Sequence, residues 1–130
     1  MTTTATEAVR AAAHAAADKK AADITILDVS RQLVITDHFL ICSGNTERQV
    51  KTIADEVDKR LREGFRLSPF RREGEREARW VLLDYVDFVV HIFHREERDY
   101  YDLERLWADA PSERFDEGFE DDDRAAAKAT

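Results

Sequence analysis

Three small groups of residues carry side chains able to do chemistry. Ser43, Gly44, Asn45 and Thr46 stand where a strand would run into a helix, and free N–H groups at such a turn can hold a phosphate. Thr46 with Gln49 three residues on also has the spacing of a capping box, and no Gly-Lys-Thr run or repeated glycine spacing accompanies it. Ordinary capping is the plainer account. His91 and His94 would share a metal only from a helix, because strand residues three apart point to opposite faces; no third ligand stands at a recognisable spacing. A hydrogen-bonded core role suits His91 better. Asp84 and Asp87 could bind magnesium or serve as acid and base. Two acids reaching one ion from one strand must be an even number of residues apart, however, and these are not. Turn geometry and an acidic contact surface explain them more simply. Cys42, the only cysteine, lies in an apolar stretch with no base nearby, so it reads as a buried, inert thiol. No catalytic residue, metal site or cofactor is expected.

The elements that position these residues follow from periodicity. Thr4 to about Ala22 is alanine-rich helix, its weak stripe of Val9, Ala13, Ala16 and Ala17 having little to bury. Ile24 to Val29 reads as a strand apolar on both faces, Ile24 and Ile26 against Leu27 and Val29, and therefore interior to a sheet. After a turn near Ser30 to Gln32, an apolar region running through Phe39 to Cys42 gives a second strand. Val50, Ile53, Ala54, Val57 and Leu61 then recur at helical spacing, with Gly64 suited to the C-terminal cap. Phe65 to Phe70 reads as an edge strand because of Pro69, Glu73 to Arg79 as an exposed loop, and Trp80 to Asp84 and Phe88 to His94 as two more strands. Arg98 to Ala108 forms a last short helix, and Pro111 ends the ordered part. This order predicts an α/β (α+β) fold with a mixed sheet of about five strands flanked by helices. Residues 1–111 would be one domain and 112–130 an acidic, disordered tail.

Composition narrows the function. At 130 residues, with 43% hydrophobic and 37% charged, the chain can bury one core. Of the formal net charge of −8, the stretch 112–130 supplies half, with seven acids against three bases. A mildly acidic body lacks the broad positive field that grips a phosphate backbone, so a protein partner is expected before free nucleic acid. A single cysteine precludes an internal disulfide and suits a reducing compartment, and no run approaches the apolar length of a membrane span. The cytoplasm is the expected location, with no membrane partner. Between Lys59 and Arg79 there are eight bases and four acids. If the body docks beside RNA, Arg66, Arg71, Arg72, Arg76 and Arg79 are where peripheral phosphate contacts would be sought; otherwise this is a solvated face. Trp80, Tyr85, Tyr100, Tyr101 and Trp107 put the large aromatics in the C-terminal half, where they serve either the core or an interface.

An ordered set of residues adds to this. Asp23-Ile24, Leu27-Asp28-Val29, Ile35-Thr36-Asp37, Ile41-Cys42-Ser43-Gly44 and Arg48 with Ile53-Ala54 are followed by Glu73-Gly74, Trp80, Leu83-Asp84, Asp87, Val90-His91, Arg98, Tyr101 and Leu103-Glu104-Arg105-Leu106-Trp107. Over roughly residues 20 to 108 the chain resembles the iojap family of ribosomal silencing factors. The resemblance implies a nucleotidyltransferase-like fold without the catalytic acids, a homodimer, and a non-enzymatic translational repressor. Such a repressor binds the fourteenth protein of the large ribosomal subunit and sterically blocks joining of the small subunit when nutrients fall. Carried onto this chain, the implied partner-binding residues are Trp80, Asp84, Asp87, Tyr101, Leu103 and Glu104. Trp80 would anchor, the aspartates would face ribosomal Lys or Arg, and Leu106 and Trp107 would pack inward. Two features depart from the family pattern: Val86 stands where glycine often precedes the second aspartate, so the turn is expected to shift or bulge, and the acidic tail lies outside the matched region. A role in assembling the large subunit is the alternative, and a nucleotide-binding, nucleotidyltransferase-like enzyme a further one.

Overall fold

Alternation of apolar side chains along two strands decides the architecture of the chain, described by a computed structural model for residues 3–115. In β1 (Ala22–Asp28), Ile24 and Ile26 point to one face, while Leu27 points to the other with Val29 just beyond the strand. In β5 (Phe88–His94), Phe88, Val90 and Ile92 join the first face and Phe93 the second. A sheet apolar on both sides needs covering on both. The helices α1 (Thr3–Asp18) and α2 (Glu47–Phe65) cover the first face. The short α3 (Arg95–Tyr101) and α4 (Leu103–Leu106) lie toward the second, where Leu103, Trp107 and Ala110 pack on Leu27, Ile41 and Phe93.

Among the described residues the sheet has six strands in the order β3-β4-β5-β2-β1-β6, with β2 (His38–Gly44), β3 (Arg71–Glu73), β4 (Trp80–Asp84) and β6 (Ser112–Arg114) completing it. Only β2 and β5 run parallel; every other neighbour is antiparallel. The α2 stripe is the expected one, with Val50, Ile53, Ala54, Val57 and Leu61 all buried.

Several sequence expectations are corrected. The alanine helix buries Ala8, Val9, Ala12, Ala13, Ala15 and Ala16 completely; small side chains let its backbone lie close against its neighbours, so little area per residue is still fully used. α2 runs past Gly64 and is capped at Arg66, which adopts a left-handed φ of 56°. The edge strand is Arg71–Glu73 rather than 65–70, and Leu33 to Asp37 is loop, with Val34 and Ile35 in solvent. The last helix breaks at Asp102, where φ is 42°. Pro111 does not end the ordered chain: β6 pairs with β1, and Phe115 beyond it is fully buried. That aromatic side chain, immersed against α1, makes a sixth strand out of residues whose composition reads as tail. The rest of the expected tail lies outside the described residues. Among the described residues no helix is long and apolar enough to cross a membrane.

Candidate docking surface

Trp80 opens β4 at one end of the sheet, and Gly74 sets it there. With φ at 84°, Gly74 brings its Cα so near the Trp80 carbonyl that a Cβ would meet that oxygen at 1.9 Å, so only glycine fits. Half-buried, the Trp80 indole rests on Phe93 and Tyr101, ring centroids 4.7 and 4.8 Å away. Its Nε1–H donates to Nδ1 of His91 at 3.2 Å. Burial pushes His91 down to about 4, so the ring stays neutral and can accept that bond. Tyr101 is nearly half exposed and meets Tyr100 edge-on at 4.9 Å.

The neighbouring charges are used internally. Arg98, 7% exposed, donates to Ser43 Oγ at 2.8 Å, to the Asp23 carbonyl at 2.7 Å, and through Nε and a terminal nitrogen to both oxygens of Glu104. Residues six apart on one helix lie about 120° apart around its axis, so the break at Asp102 is what turns Glu104 back onto Arg98. Glu104 is therefore committed to the fold. Leu103 is half-buried in the second core cluster, Trp107 packs on Phe39 at 5.6 Å, and Leu106, expected to pack inward, is 73% exposed.

Asp84 and Asp87 stand elsewhere. Register places Trp80 opposite Phe93 and Asp84 opposite Val89, so the aspartates lie at the far end of β4, about 13 Å from Trp80 at strand rise. Asp84 Oδ1 accepts from the Val86 N–H at 2.8 Å, and Val86 takes a φ of 73° in a tight turn in which Tyr85 N–H meets the Phe88 carbonyl at 2.9 Å. Valine thus adopts the glycine-like conformation outright, without the expected shift. The six residues implied as partner contacts form two groups at opposite ends of the sheet: Trp80, Tyr101, Leu103 and Glu104 at one, Asp84 and Asp87 at the other.

The remaining candidates resolve locally. Thr46 Oγ1 accepts from Gln49 N–H at 3.0 Å, Gln49 Oε1 accepts from Asn45 N–H at 2.6 Å, and Ser43 is held by Arg98, so capping engages this turn. His91 and His94 lie on opposite faces; His94 caps α3, accepting from Glu96 N–H at 3.2 Å. His94, Glu96 and Glu97 group their ligand atoms within 4.8 Å, a set the sequence did not suggest, but Arg79 lies 2.7 Å from each carboxylate. Cys42 is fully buried, its thiol pushed up to about 12 by burial. Of the five arginines considered for phosphate contact, Arg71, Arg72 and Arg79 form ion pairs with Glu73 and Asp84, with Asp58 and Glu75, and with Glu96 and Glu97. Arg66 and Arg76 remain exposed. The arrangement offers aromatic and acidic contact surfaces built on a rigid sheet.

The chain is similar to known proteins over most of its length. A family model described as "Ribosomal silencing factor during starvation" matches residues 2–130, extending the resemblance to both ends of the chain. A Bacillus subtilis protein named ribosomal silencing factor is 47% identical over 111 residues, spanning 85% of this chain and 92% of that protein. A crystal structure of a Chromobacterium violaceum protein superposes with a TM-score of 0.76 at 36% identity, covering 79% of this chain and 85% of that one. More distantly, a mouse protein named for mitochondrial assembly of the ribosomal large subunit is 30% identical over 91 residues, 68% of this chain and 40% of that protein.

Proposed function

The chain belongs to the ribosomal silencing factor family, and on that premise we propose that it represses translation by binding the large ribosomal subunit through that subunit's fourteenth protein. Occupying this patch keeps the small subunit from joining, in the cytoplasm and under nutrient limitation. The observation that carries the reading is the family match across nearly the whole chain, and the relatives are named as silencing factors rather than enzymes. The physics required is modest. A small acidic protein seated on a basic ribosomal protein gains by charge complementarity, and its bulk excludes a far larger interface without any catalytic step. We also read the free protein as a homodimer.

The test is co-sedimentation with separated ribosomal subunits, followed by subunit reassociation with and without the protein. Selective binding to large subunits together with fewer joined ribosomes is expected. Absence of binding at concentrations well above micromolar overturns the reading. The mouse relative's name supports a second reading, assistance in assembling the large subunit. It predicts the same docking but, on removal of the protein, accumulation of precursor particles instead of excess joined ribosomes under starvation.

A further inference from the structure

All the strand termini at the Asp84 end of the sheet converge on one rim. The Asp87 carbonyl accepts from the N–H groups of Asp37 at 2.9 Å and His38 at 3.4 Å, which ties the 29–37 loop to the β4–β5 turn. Val29 N–H donates to the Asp37 carbonyl at 2.9 Å and closes that loop, while Phe70 N–H donates to the Asp84 carbonyl at 2.7 Å and brings in the start of β3. Each of these connections carries a large apolar side chain into water: Val34 fully exposed, Ile35 81% exposed, Phe70 74% exposed, and Val86 more than half exposed. Scattered surface hydrophobics need no explanation, but four on three hydrogen-bonded segments of one rim are a concentration of exposed apolar side chains at one end of the sheet, where an interaction site is to be sought.

We infer that this rim, with Val34, Ile35, Phe70 and Val86 as its apolar contacts and Asp84 and Asp87 as its acidic ones, is the surface that docks a basic protein. The inference rests on the large-subunit reading and names the face that serves it. The sign of the charge chooses the occupant. Asp28, Asp37, Asp84 and Asp87 stand on this rim against Arg31 in the 29–37 loop and Arg71, which pairs with Glu73 and Asp84, so acids still outnumber bases there, and the Ser30 hydroxyl holds the Asp28 carboxyl below the usual range. A phosphate backbone would be repelled here. A second copy placed across a two-fold axis would set acid against acid. A protein surface with lysines or arginines around an apolar centre meets neither obstacle. On this geometry Trp80 and Tyr101, at the other end of β4, lie outside the docking face.

The test compares binding of purified large subunits by the parent chain, a Val34→Ser/Ile35→Ser double variant, Phe70→Ser, Asp87→Lys, and a Tyr100→Ser/Leu106→Ser control at the opposite end. All replaced side chains are exposed, so unchanged melting curves are expected throughout. The rim variants should weaken binding by about tenfold or more, Asp87→Lys should also lessen its salt dependence, and the control should match the parent. If the parent binds and the rim variants bind equally well, or the control loses as much as they do, the inference fails while the silencing reading stands. If the parent does not bind at all, the silencing reading fails and takes the inference with it. Rim variants that turn a dimer into a monomer while binding subunits at full affinity would assign the rim to a second copy and overturn the proposal.

Discussion

Trp80 donates its indole N–H to Nδ1 of His91 at 3.2 Å, across neighbouring strands β4 and β5. The bond requires a neutral imidazole, and burial keeps it neutral by pushing the ring down to about 4. One pair thereby couples the placement of a half-exposed aromatic to the protonation state of a buried base.

The coupling gives a pH dependence of defined sign. An unfolded histidine titrates near 6.5, so between that value and about 4 the unfolded chain binds a proton that the folded chain refuses. Stability from this group is fully present above about 6.5 and declines as pH falls toward 4, by on the order of 3 kcal/mol in all. The carboxylates titrate in the same window, so the comparison must be with His91→Gln. Melting temperature measured at pH 7.5 and pH 5 should fall more in the parent than in the variant; equal falls would show that His91 does not contribute.

Arg98 makes the second prediction. Its guanidinium bonds Ser43, the Asp23 carbonyl and Glu104, joining β1, β2 and both short helices. Removing one partner of a buried pair strands the other, so Arg98→Ala should cost about 3–5 kcal/mol in urea unfolding. Arg98→Lys keeps the charge but not the fork and should recover less than half of that. A double-mutant cycle with Glu104→Gln should show strong coupling; additivity would mean that the geometry misassigns the pair.

How far the sequence could be read follows from such cases. Val50, Ile53, Ala54, Val57 and Leu61 announced α2 because burial on one helix face leaves a period in the sequence, and the even alternation along β5 did the same for its two faces. Glu104 could not be placed, because its role depends on a left-handed Asp102 that no periodicity betrays. Asp84 and Trp80 looked like one site because sequence proximity hides their opposite positions on one strand. The apolar pair Val34 and Ile35 passed as the approach to a strand, since an exposed hydrophobic and a buried one have the same letter.

Phe115 supplies the third prediction. Its ring lies edge-on to His14 at 4.5 Å beneath the Arg10 guanidinium, and its N–H donates to the Ile24 carbonyl at 2.6 Å. Truncation after Phe115 should therefore leave a protein more stable than truncation after Pro111, which removes β6 as well. Loss of a buried phenylalanine alone is worth about 3–5 kcal/mol. Urea denaturation of the two truncated chains, with Phe115→Ala in the longer one as the intermediate case, measures the difference; coincident curves would show that the last strand contributes nothing.

Val86 carries the last prediction, in which stability and docking pull apart. A β-branched residue at a φ of 73° is strained by roughly 1–2 kcal/mol, and the hydrogen bond from its N–H to Asp84 holds it there. Glycine removes the strain at a smaller entropic cost, so Val86→Gly should raise stability by about 1 kcal/mol, a rise in Tm of about 3–4 °C. The same change deletes an apolar side chain from the proposed rim and should weaken large-subunit binding. A variant that melts higher and binds worse would mean that strain is retained at this turn for contact. A variant that melts higher and binds as the parent does would leave Val86 with a conformational role alone, and one that melts lower would show that its side chain packs better than its exposure suggests.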